Sequence, residues 1–303
     1  MELPTVTVLM ATFNGIRWIK EQVDSILFQK SVHVHLIISD DGSNDGTYQW
    51  LSKLESAHEN VTLLSSRGLS LGAAGNFYYL IESLDISSTD YVALADQDDI
   101  WYETKLRDQI SLLETSCSDG VSSDVIAFWP DGERKRVVKS GRMKKFDYLF
   151  ESAGPGCTYL FTPCLARLIQ NTLKHTHKKD RPELHDWFIY AVVRANHRKW
   201  TIAPAVTLEY RQHDQNVMGV NRGWQAKLNR ATKIIDGWYR REVIKVCMLV
   251  EKATSDREVL ELCRIIRTNS IINRLKLIKS TSQARRARVD RMFLYCAFIL
   301  FAF

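Results

Sequence analysis

The first 115 residues alternate short apolar runs with longer segments of helical periodicity, and this alternation constrains the fold more than any other feature. Parallel strands need a long crossover, usually a helix, whereas antiparallel strands can be joined by a tight turn. The alternation therefore predicts an α/β fold with a mostly parallel central sheet covered by helices. The predicted strands are 5–11, 33–39, 61–65 and 91–95, and the predicted helices are 16–28, 47–54, 73–83 and 101–114.

Beyond this region the pattern changes twice. Residues 117–150 are polar and glycine-bearing, which predicts irregular structure with an edge hairpin. Residues 225–279 carry apolar positions at helical spacing among many Arg and Lys, which predicts two or three amphipathic helices. We therefore divide the chain into a first domain, 1–222, and a basic helical region, 223–303. Between residues 150 and 225 we expect strands at 158–161 and 202–210 and helices at 164–174 and 185–195.

The net charge of +6 is unevenly distributed along the chain. Residues 225–303 hold 17 Lys and Arg against 7 Asp and Glu, whereas residues 1–224 hold 24 against 28. A basic C-terminal third indicates an anionic partner for that third. The six cysteines form no C-x-x-C pair, and no basic segment followed by an apolar stretch opens the chain. We therefore expect reduced, mostly buried thiols and a cytoplasmic protein.

Carboxylates follow two of the predicted strands directly. Asp96, Asp98 and Asp99 end the apolar run that begins at Tyr91, and they would repel one another without a counter-charge. Hard cations such as Mg²⁺ and Mn²⁺ take oxygen ligands and leave room for substrate phosphates. Open α/β sheets bind ligands at the carboxyl ends of their strands. The cluster therefore predicts a site for a metal ion and a diphosphate at this edge.

Asp40 and Asp41 end the second predicted strand, one loop away from Asp96 if the sheet is parallel. A carboxylate there could accept the imide N–H of a uracil or thymine ring, or bind ribose hydroxyls. The alternative is a turn aspartate ahead of the helix that begins at Thr47. No Gly-x-Gly-x-x-Gly follows the first strand and the chain has no P-loop, so neither of these phosphate-binding motifs is available.

Three motifs together resemble glycosyltransferase family 2, which has the GT-A fold. They are Ala-Thr-Phe-Asn-Gly at 11–15, Ser-Asp-Asp-Gly-Ser-Asn-Asp-Gly-Thr at 39–47 and Asp-Gln-Asp-Asp-Ile-Trp at 96–101. The third is similar to the branch with bacterial O-antigen and capsule transferases, including rhamnosyltransferases. The resemblance spans about 5–220 and continues through Gly-Cys-Thr at 156–158, His-Asp-Trp at 185–187 and Tyr-Arg-Gln-His-x-x-Asn at 210–216.

The resemblance implies metal-dependent transfer of a sugar from a nucleoside diphosphate, with inversion. Asp186 lies where this family places its catalytic base, the role of His185 stays open, and Asp99 orients its neighbours or solvates the turn. The alternative for Asp186 is a cap on a helix that begins at Trp187. The implied donor-binding residues are Thr12, Asn14, Asp40, Asp41, Gly72, Asn76, Asp96, Arg211 and Gln212, and the implied ligands of Mg²⁺ or Mn²⁺ are Asp98 and His213.

The loop that follows the last predicted strand of the first domain carries residues that could bind the donor. Arg211 could hold a phosphate through two parallel hydrogen bonds, and His213 could ligate the metal. The alternative is an ordinary polar surface loop. We also expect residues 211–223 to order over the donor.

Three tryptophans could stack on an acceptor sugar, although partly buried core positions are their expected role. They are Trp101, Trp129 and Trp187.

The branch resemblance favours L-rhamnose from dTDP-L-rhamnose as the donor, with a UDP-sugar as the alternative, and a lipid-linked surface glycan as the acceptor. Two other functions were weighed. A nucleotidyltransferase would need a glycine-rich basic loop after the first strand, where the chain offers only Gly15, Arg17 and Lys20. A non-catalytic nucleotide-sugar-binding scaffold is disfavoured because Asp96, Asp98 and Asp186 are all present.

The uncharged residues 292–303 are too few for a membrane-spanning helix, which needs about 20. They could lie at the inner face of the cell membrane, next to a cluster of basic side chains. The alternative is a helix packed on the protein or on a second subunit of a homo-oligomer. Nucleic acid is disfavoured because no recognised binding motif accompanies the basic residues. The basic side chains are Arg285, Arg286, Arg288 and Arg291.

Overall fold

Nine strands form one mixed sheet in the computed structural model, which describes residues 2–65, 70–214, 216, 236–268 and 271–299. The strands are β1 Thr5–Thr12, β2 His33–Asp40, β3 Val61–Leu63, β4 Tyr91–Ala95, β5 Ile100–Trp101, β6 Gly120–Phe128, β7 Arg134–Val137, β8 Leu160–Phe161 and β9 Trp200–Arg211. The helices are α1 Ile19–Leu27, α2 Thr47–Ala57, α3 Gly72–Ser83, α4 Lys105–Thr115, α5 Pro163–Lys174, α6 His185–Ala195, α7 Trp238–Glu251, α8 Arg257–Thr268, α9 Ile271–Ala284 and α10 Arg288–Ile299.

The sheet order is β3-β2-β1-β4-β8-β6-β9-β5, with β7 paired to β6. Strand β1 pairs in parallel with both β2 and β4, and β2 pairs in parallel with β3, which confirms the predicted parallel half of the sheet. In this register Thr12 lies opposite Asp40, and Met10 lies opposite Ala95. The carboxyl ends of β1, β2 and β4 therefore meet at one edge, where the predicted donor site lies.

The prediction of irregular structure over 117–150 is wrong for its first part. Gly120–Phe128 is a nine-residue strand that lies inside the sheet between β8 and β9. Its middle is polar and nevertheless buried, because distant groups satisfy each polar atom. Asp124 accepts hydrogen bonds from the Lys139 and Ser140 N–H groups at 2.7 and 2.9 Å and pairs with Arg136 at 2.9 Å. The predicted edge hairpin is present as β6 and β7.

Two predicted helices begin later than expected. The helix predicted at 101–114 begins at Lys105, because Ile100 and Trp101 extend as a strand and pair with Glu209 and Leu208 of β9. The helix predicted at 16–28 begins at Ile19. Pairing with a distant strand overrides the local helical spacing in the first case, as tertiary contacts often do. Trp101 is 3% exposed and belongs to the core, as expected.

The described residues cluster into two compact units. Unit 1 takes its residues from 1–140, 154–175 and 199–219 and contains the whole sheet with α1–α5, and unit 2 takes its residues from 141–153, 176–198 and 220–303 and contains α6–α10. Two segments of the predicted first domain thus group with the C-terminal helices. The predicted boundary at residues 222 and 223 lies outside the described residues. The predicted C-terminal helices are present over the described part as α7, α8 and α9.

The expectation that four C-terminal arginines help the last segment bind a lipid surface is wrong for Arg286, whose side chain is 4% exposed. Its Nη1 lies 3.1 Å from the carboxylate of Asp147 and 3.6 Å from that of Glu151. Asp147 is fully buried and also pairs with Arg194 at 2.8 Å. A buried carboxylate requires such partners. Arg285 is 23% exposed and lies 3.7 Å from Glu151, so it too is engaged within unit 2.

All six cysteines are free thiols, as expected. Only half of them are buried, because Cys117, Cys164 and Cys296 are exposed. Among the described residues, no helix combines the length and the apolar character needed to cross a membrane.

Candidate functional site

Hydrogen bonds join the loops after β1 and β2 through the carboxylate of Asp40, which is 6% exposed. Its Oδ1 accepts the hydroxyls of Thr12 and Ser43 at 2.9 and 2.6 Å. Its Oδ2 accepts the N–H groups of Gly42 and Ser43 at 3.1 and 2.8 Å. A carboxylate offers about four acceptor sites, and these four donors use them. Asp40 therefore shapes the loop, and a nucleobase would have to displace one of these donors to bind it.

Asp41 organises the start of α3 at the same edge. It accepts the hydroxyl of Ser70 at 2.7 Å and the N–H groups of Leu71 and Gly72, both at 2.8 Å. Gly72 has a φ of +69°, a left-handed conformation that favours glycine. Asn76, predicted to bind the donor, is 1% exposed and donates from Nδ2 to the carbonyl of Ser39 at 2.7 Å, which ties α3 to β2.

A side chain that the sequence analysis did not select, Gln97, connects the end of β4 to the loop after β1. Its Oε1 accepts the N–H of Phe13 and its Nε2 donates to the carbonyl of Phe13, each at 2.8 Å. A Cβ on Gly15 would lie 2.2 Å from Gln97 Oε1, so this contact requires glycine at position 15. Asn14, with a φ of +48°, accepts the N–H of Asn44 at 2.9 Å. The sequence feature that could have identified Gln97 is its position between acidic residues directly after a buried strand.

The two predicted metal ligands lie together. His213 Nε2 is 2.7 Å from Asp98 Oδ2, and the two side chains are 11% and 10% exposed. The indole of Trp18 stacks on the His213 ring with centroids 3.9 Å apart and an angle of 9° between the planes. One carboxylate oxygen and one imidazole nitrogen beside a partly open edge suit Mn²⁺ or Mg²⁺. Trp18 was not selected from the sequence because an aromatic residue near a helix start carries no distinctive signal.

A second set of potential metal ligands contains two of the neighbouring aspartates. Ligand atoms of Asp96, Asp99 and Cys157 lie within 4.8 Å of one another, and Asp99 and Cys157 are fully buried. Burial raises the pKa of the Asp99 carboxyl well above its usual range, and Asp98 and Asp96 raise it further. A cysteine thiol is a poor ligand for a hard cation, and it is one of the three potential ligands in this group. On this chemistry Asp98 and His213 fit Mg²⁺ or Mn²⁺ better.

A buried lysine accompanies the acidic group. Lys105 Nζ lies 3.8 Å from the centroid of the Trp101 ring and 2.8 Å from Gln109 Oε1. Burial lowers the pKa of Lys105 to about 7, although Cys157 and Asp99 favour its charged form. In its charged form Lys105 partly offsets the negative charge of these buried groups.

Arg211 and Gln212 lie at the end of β9, next to the Asp98–His213 pair. Arg211 donates from Nε to the carbonyl of Asp98 at 2.8 Å, forms an ion pair with Glu21 and lies 4.6 Å from the Phe128 ring centroid. Gln212 is 3% exposed and donates to the Arg211 carbonyl at 2.9 Å. Arg211 is thus held at the predicted diphosphate edge by contacts within unit 1, which a simple surface loop would lack. Most of the loop predicted over 211–223 lies outside the described residues.

Asp186, the implied base, lies in unit 2. Helix α6 begins at His185, so Asp186 is in the first turn and is not the N-cap, and its Oδ1 accepts the N–H of Trp187 at 2.7 Å. The Nε2 of His185 is enclosed, and burial lowers the pKa of His185 to about 3. The imidazole is therefore neutral at physiological pH. Trp187 is 2% exposed, which is the expected core position.

Comparison with known proteins identifies relatives over most of the chain. The sequence profile of glycosyl transferase family 2 matches residues 7–178. The dTDP-rhamnosyl transferase RfbG of Shigella flexneri is 34% identical over 293 residues, which cover 96% of this chain and 99% of that protein. The match extends through the C-terminal helices, so RfbG resembles the whole chain and not only its first domain.

Two solved structures share the fold at low sequence identity. TarS of S. aureus in complex with UDP-GlcNAc has a TM-score of 0.61 at 14% identity and covers 92% of this chain and 73% of its own. The mannosyltransferase PcManGT of Pyrobaculum calidifontis in complex with GDP-Man and Mn²⁺ has a TM-score of 0.52 at 14% identity. The match covers 99% of this chain and 86% of that protein chain. This chain therefore belongs to glycosyl transferase family 2, has the GT-A fold and is a nucleotide-sugar glycosyltransferase of a rhamnosyltransferase-like branch.

Proposed function

We propose that this glycosyltransferase is metal-dependent and inverting, and that it moves L-rhamnose from dTDP-L-rhamnose to a lipid-linked surface polysaccharide. The similarity to RfbG, a dTDP-rhamnosyl transferase, supports this donor. Metal dependence is supported by the Asp98–His213 pair, 2.7 Å apart at the sheet edge. The family assignment argues against both the nucleotidyltransferase and the non-catalytic scaffold.

The proposed mechanism assigns tasks to four side chains. Asp98 and His213 would hold Mg²⁺ or Mn²⁺, which when bound neutralises negative charge on the departing diphosphate. Arg211, fixed against the Asp98 carbonyl, contributes a positive charge at the same edge. Asp186 accepts the proton of the acceptor hydroxyl while that oxygen bonds to the anomeric carbon. A single displacement from the face opposite the diphosphate inverts the anomeric configuration.

The donor assignment predicts a selective thermal shift. We expect dTDP-L-rhamnose with Mn²⁺ to raise the melting temperature more than UDP-glucose or GDP-mannose at equal concentration. A ligand at 100 times its Kd stabilises the folded state by about 2.7 kcal/mol. Differential scanning fluorimetry with and without EDTA measures this. A larger shift with a UDP-sugar would contradict the rhamnose donor, and no shift with any sugar nucleotide would count against donor binding.

We also propose that the protein is cytoplasmic and contacts the inner face of the cell membrane through α10. One side of this helix packs into unit 2 through Leu294, Ala297 and Phe298. Its other side is apolar and open to solvent, although Arg288 lies at its start. Exposed apolar groups next to a basic residue suit an anionic lipid surface. The exposed side chains are Val289 at 62%, Met292 at 69%, Phe293 at 58%, Tyr295 at 44% and Ile299 at 42%.

Vesicle sedimentation tests this surface. We expect the protein to pellet with phosphatidylglycerol-containing vesicles and less with pure phosphatidylcholine, and the double variant Met292→Glu, Phe293→Glu to remain in the supernatant. Phe28→Glu is a matched control, because Phe28 is 73% exposed in unit 1. Equal pelleting of the double variant and the wild type would contradict the proposal. A dimer that the double variant abolishes would instead assign this side of α10 to a homo-oligomer.

A further inference from the structure

Helix α7, which lies beyond the residues matched by the family profile, holds the chain segment that leads into Asp186. Glu242 is fully buried, and its Oε2 accepts the N–H of Glu183 at 2.6 Å. Its Oε1 accepts Nζ of Lys245 at 2.6 Å. The indole N–H of Trp238 donates to Glu183 Oε2 at 2.8 Å and lowers the pKa of that carboxyl. Lys245 Nζ also lies 3.4 Å from Glu183 Oε1, so three side chains of α7 contact Glu183, which lies three positions before the base.

The same helix also contacts the residue that follows the base. The ring of Trp187 stacks on Tyr239, with centroids 5.8 Å apart and planes inclined by 21°. The Trp187 indole donates to the carbonyl of Tyr148 at 2.9 Å, and the Tyr239 hydroxyl donates to the carbonyl of Phe150 at 2.7 Å. Asp186 is therefore flanked on both sides by groups that α7 fixes.

We propose that Glu242 is a positioning residue for sugar transfer, which orients the first turn of α6 by holding the Glu183 N–H. The inference rests on the proposed role of Asp186 as the base. A buried carboxylate is a poor choice for stability alone, because apolar packing of similar volume is often as stable or more so. A buried acceptor that bonds one main-chain N–H fixes the orientation of that backbone segment, which apolar packing does not. Displacement of a reacting group by about 1 Å can lower a rate by about 10²-fold.

The test compares kcat and donor KM in variants of the full chain. For Glu242→Ala we expect kcat to fall about 10-fold or more with donor KM changed less than about threefold, because the donor edge lies in unit 1. For Glu242→Gln we expect partial recovery, because the amide oxygen still accepts the Glu183 N–H. Glu251→Ala is the control: it removes a pair with Arg267 at 2.7 Å from the same helix and should leave kcat unchanged.

A double-mutant cycle separates positioning from general destabilisation. In the Asp186→Asn background, Glu242→Ala should lower kcat by less than about twofold more, because positioning acts only through the base. A further 10-fold loss in that background, or wild-type kcat in Glu242→Ala, would overturn the inference. If Glu242→Ala does not unfold cooperatively, Glu242→Gln replaces it in the double-mutant cycle. Wild-type turnover in Asp186→Asn would instead refute the proposed base, which is a separate result.

Discussion

Replacing Asp98 with alanine is expected to lower the rate of sugar transfer by about 10²–10³-fold, the usual loss when one group that stabilises transition-state charge is removed. The variant removes the carboxylate that lies 2.7 Å from His213 and with it half of the proposed metal site. Steady-state kinetics across a Mn²⁺ titration measures the effect. In the same variant, the Mn²⁺-dependent part of the thermal shift with dTDP-L-rhamnose should disappear.

A control for this substitution lies at the other end of the same strand. Asp90 precedes β4 and accepts the N–H of Thr5 at 2.8 Å, far along the strand from the carboxyl end. Asp90→Ala should therefore keep its metal dependence and most of its rate. If Asp98→Ala transferred sugar with an unchanged response to Mn²⁺, the metal would have to bind elsewhere, and the buried group of Asp96, Asp99 and Cys157 would be the next candidate.

Asp186→Asn is expected to lower kcat by about 10²–10⁴-fold, equivalent to roughly 3–5 kcal/mol of barrier, because an amide cannot take the acceptor proton. The substitution is nearly isosteric and leaves unit 1 unchanged. Donor affinity and the thermal shift should therefore stay at wild-type values, so that binding and turnover separate. Single-turnover kinetics with saturating donor, together with donor titration, measures both.

Asp180→Asn is a suitable comparison for this second variant, since Asp180 lies in the same segment of unit 2, six residues before the proposed base. Its rate should match that of the wild type. A loss of donor binding in Asp186→Asn, without a separate loss of turnover, would show that Asp186 supports the fold or the donor and does not act as a base.

The parallel half of the sheet could be predicted because β1, β2 and β4 are apolar runs separated by helical spacing. The meeting of Thr12 and Asp40 at one edge then follows from geometry, since parallel strands end on the same side. The Asp98–His213 pair was accessible only through family resemblance, because 115 residues separate the two side chains in the sequence.

The features that were missed share one cause, which is that a buried polar group looks like a surface group until its partner is known. The polar residues of 117–150 indicated irregular structure, yet one of them, Asp124, is buried in β6 and bonded by Arg136 and two N–H groups from beyond the hairpin. Arg286 looked like a lipid-facing charge for the same reason, although it pairs with Asp147. Local hydropathy carries no information about partners that are distant in the sequence.

The buried position of Arg286 also determines how the chain can be shortened. A truncation before residue 286 would remove α10 together with one of the two arginines that pair with the fully buried Asp147. Arg194 would remain, so the loss should be smaller than the about 3–5 kcal/mol of a buried pair broken completely. Even part of that loss matters against the roughly 5–15 kcal/mol that keeps a typical protein folded. A shortened protein that lacks the proposed membrane-contacting helix should therefore end after Ala287, so that Asp147 keeps both arginine partners.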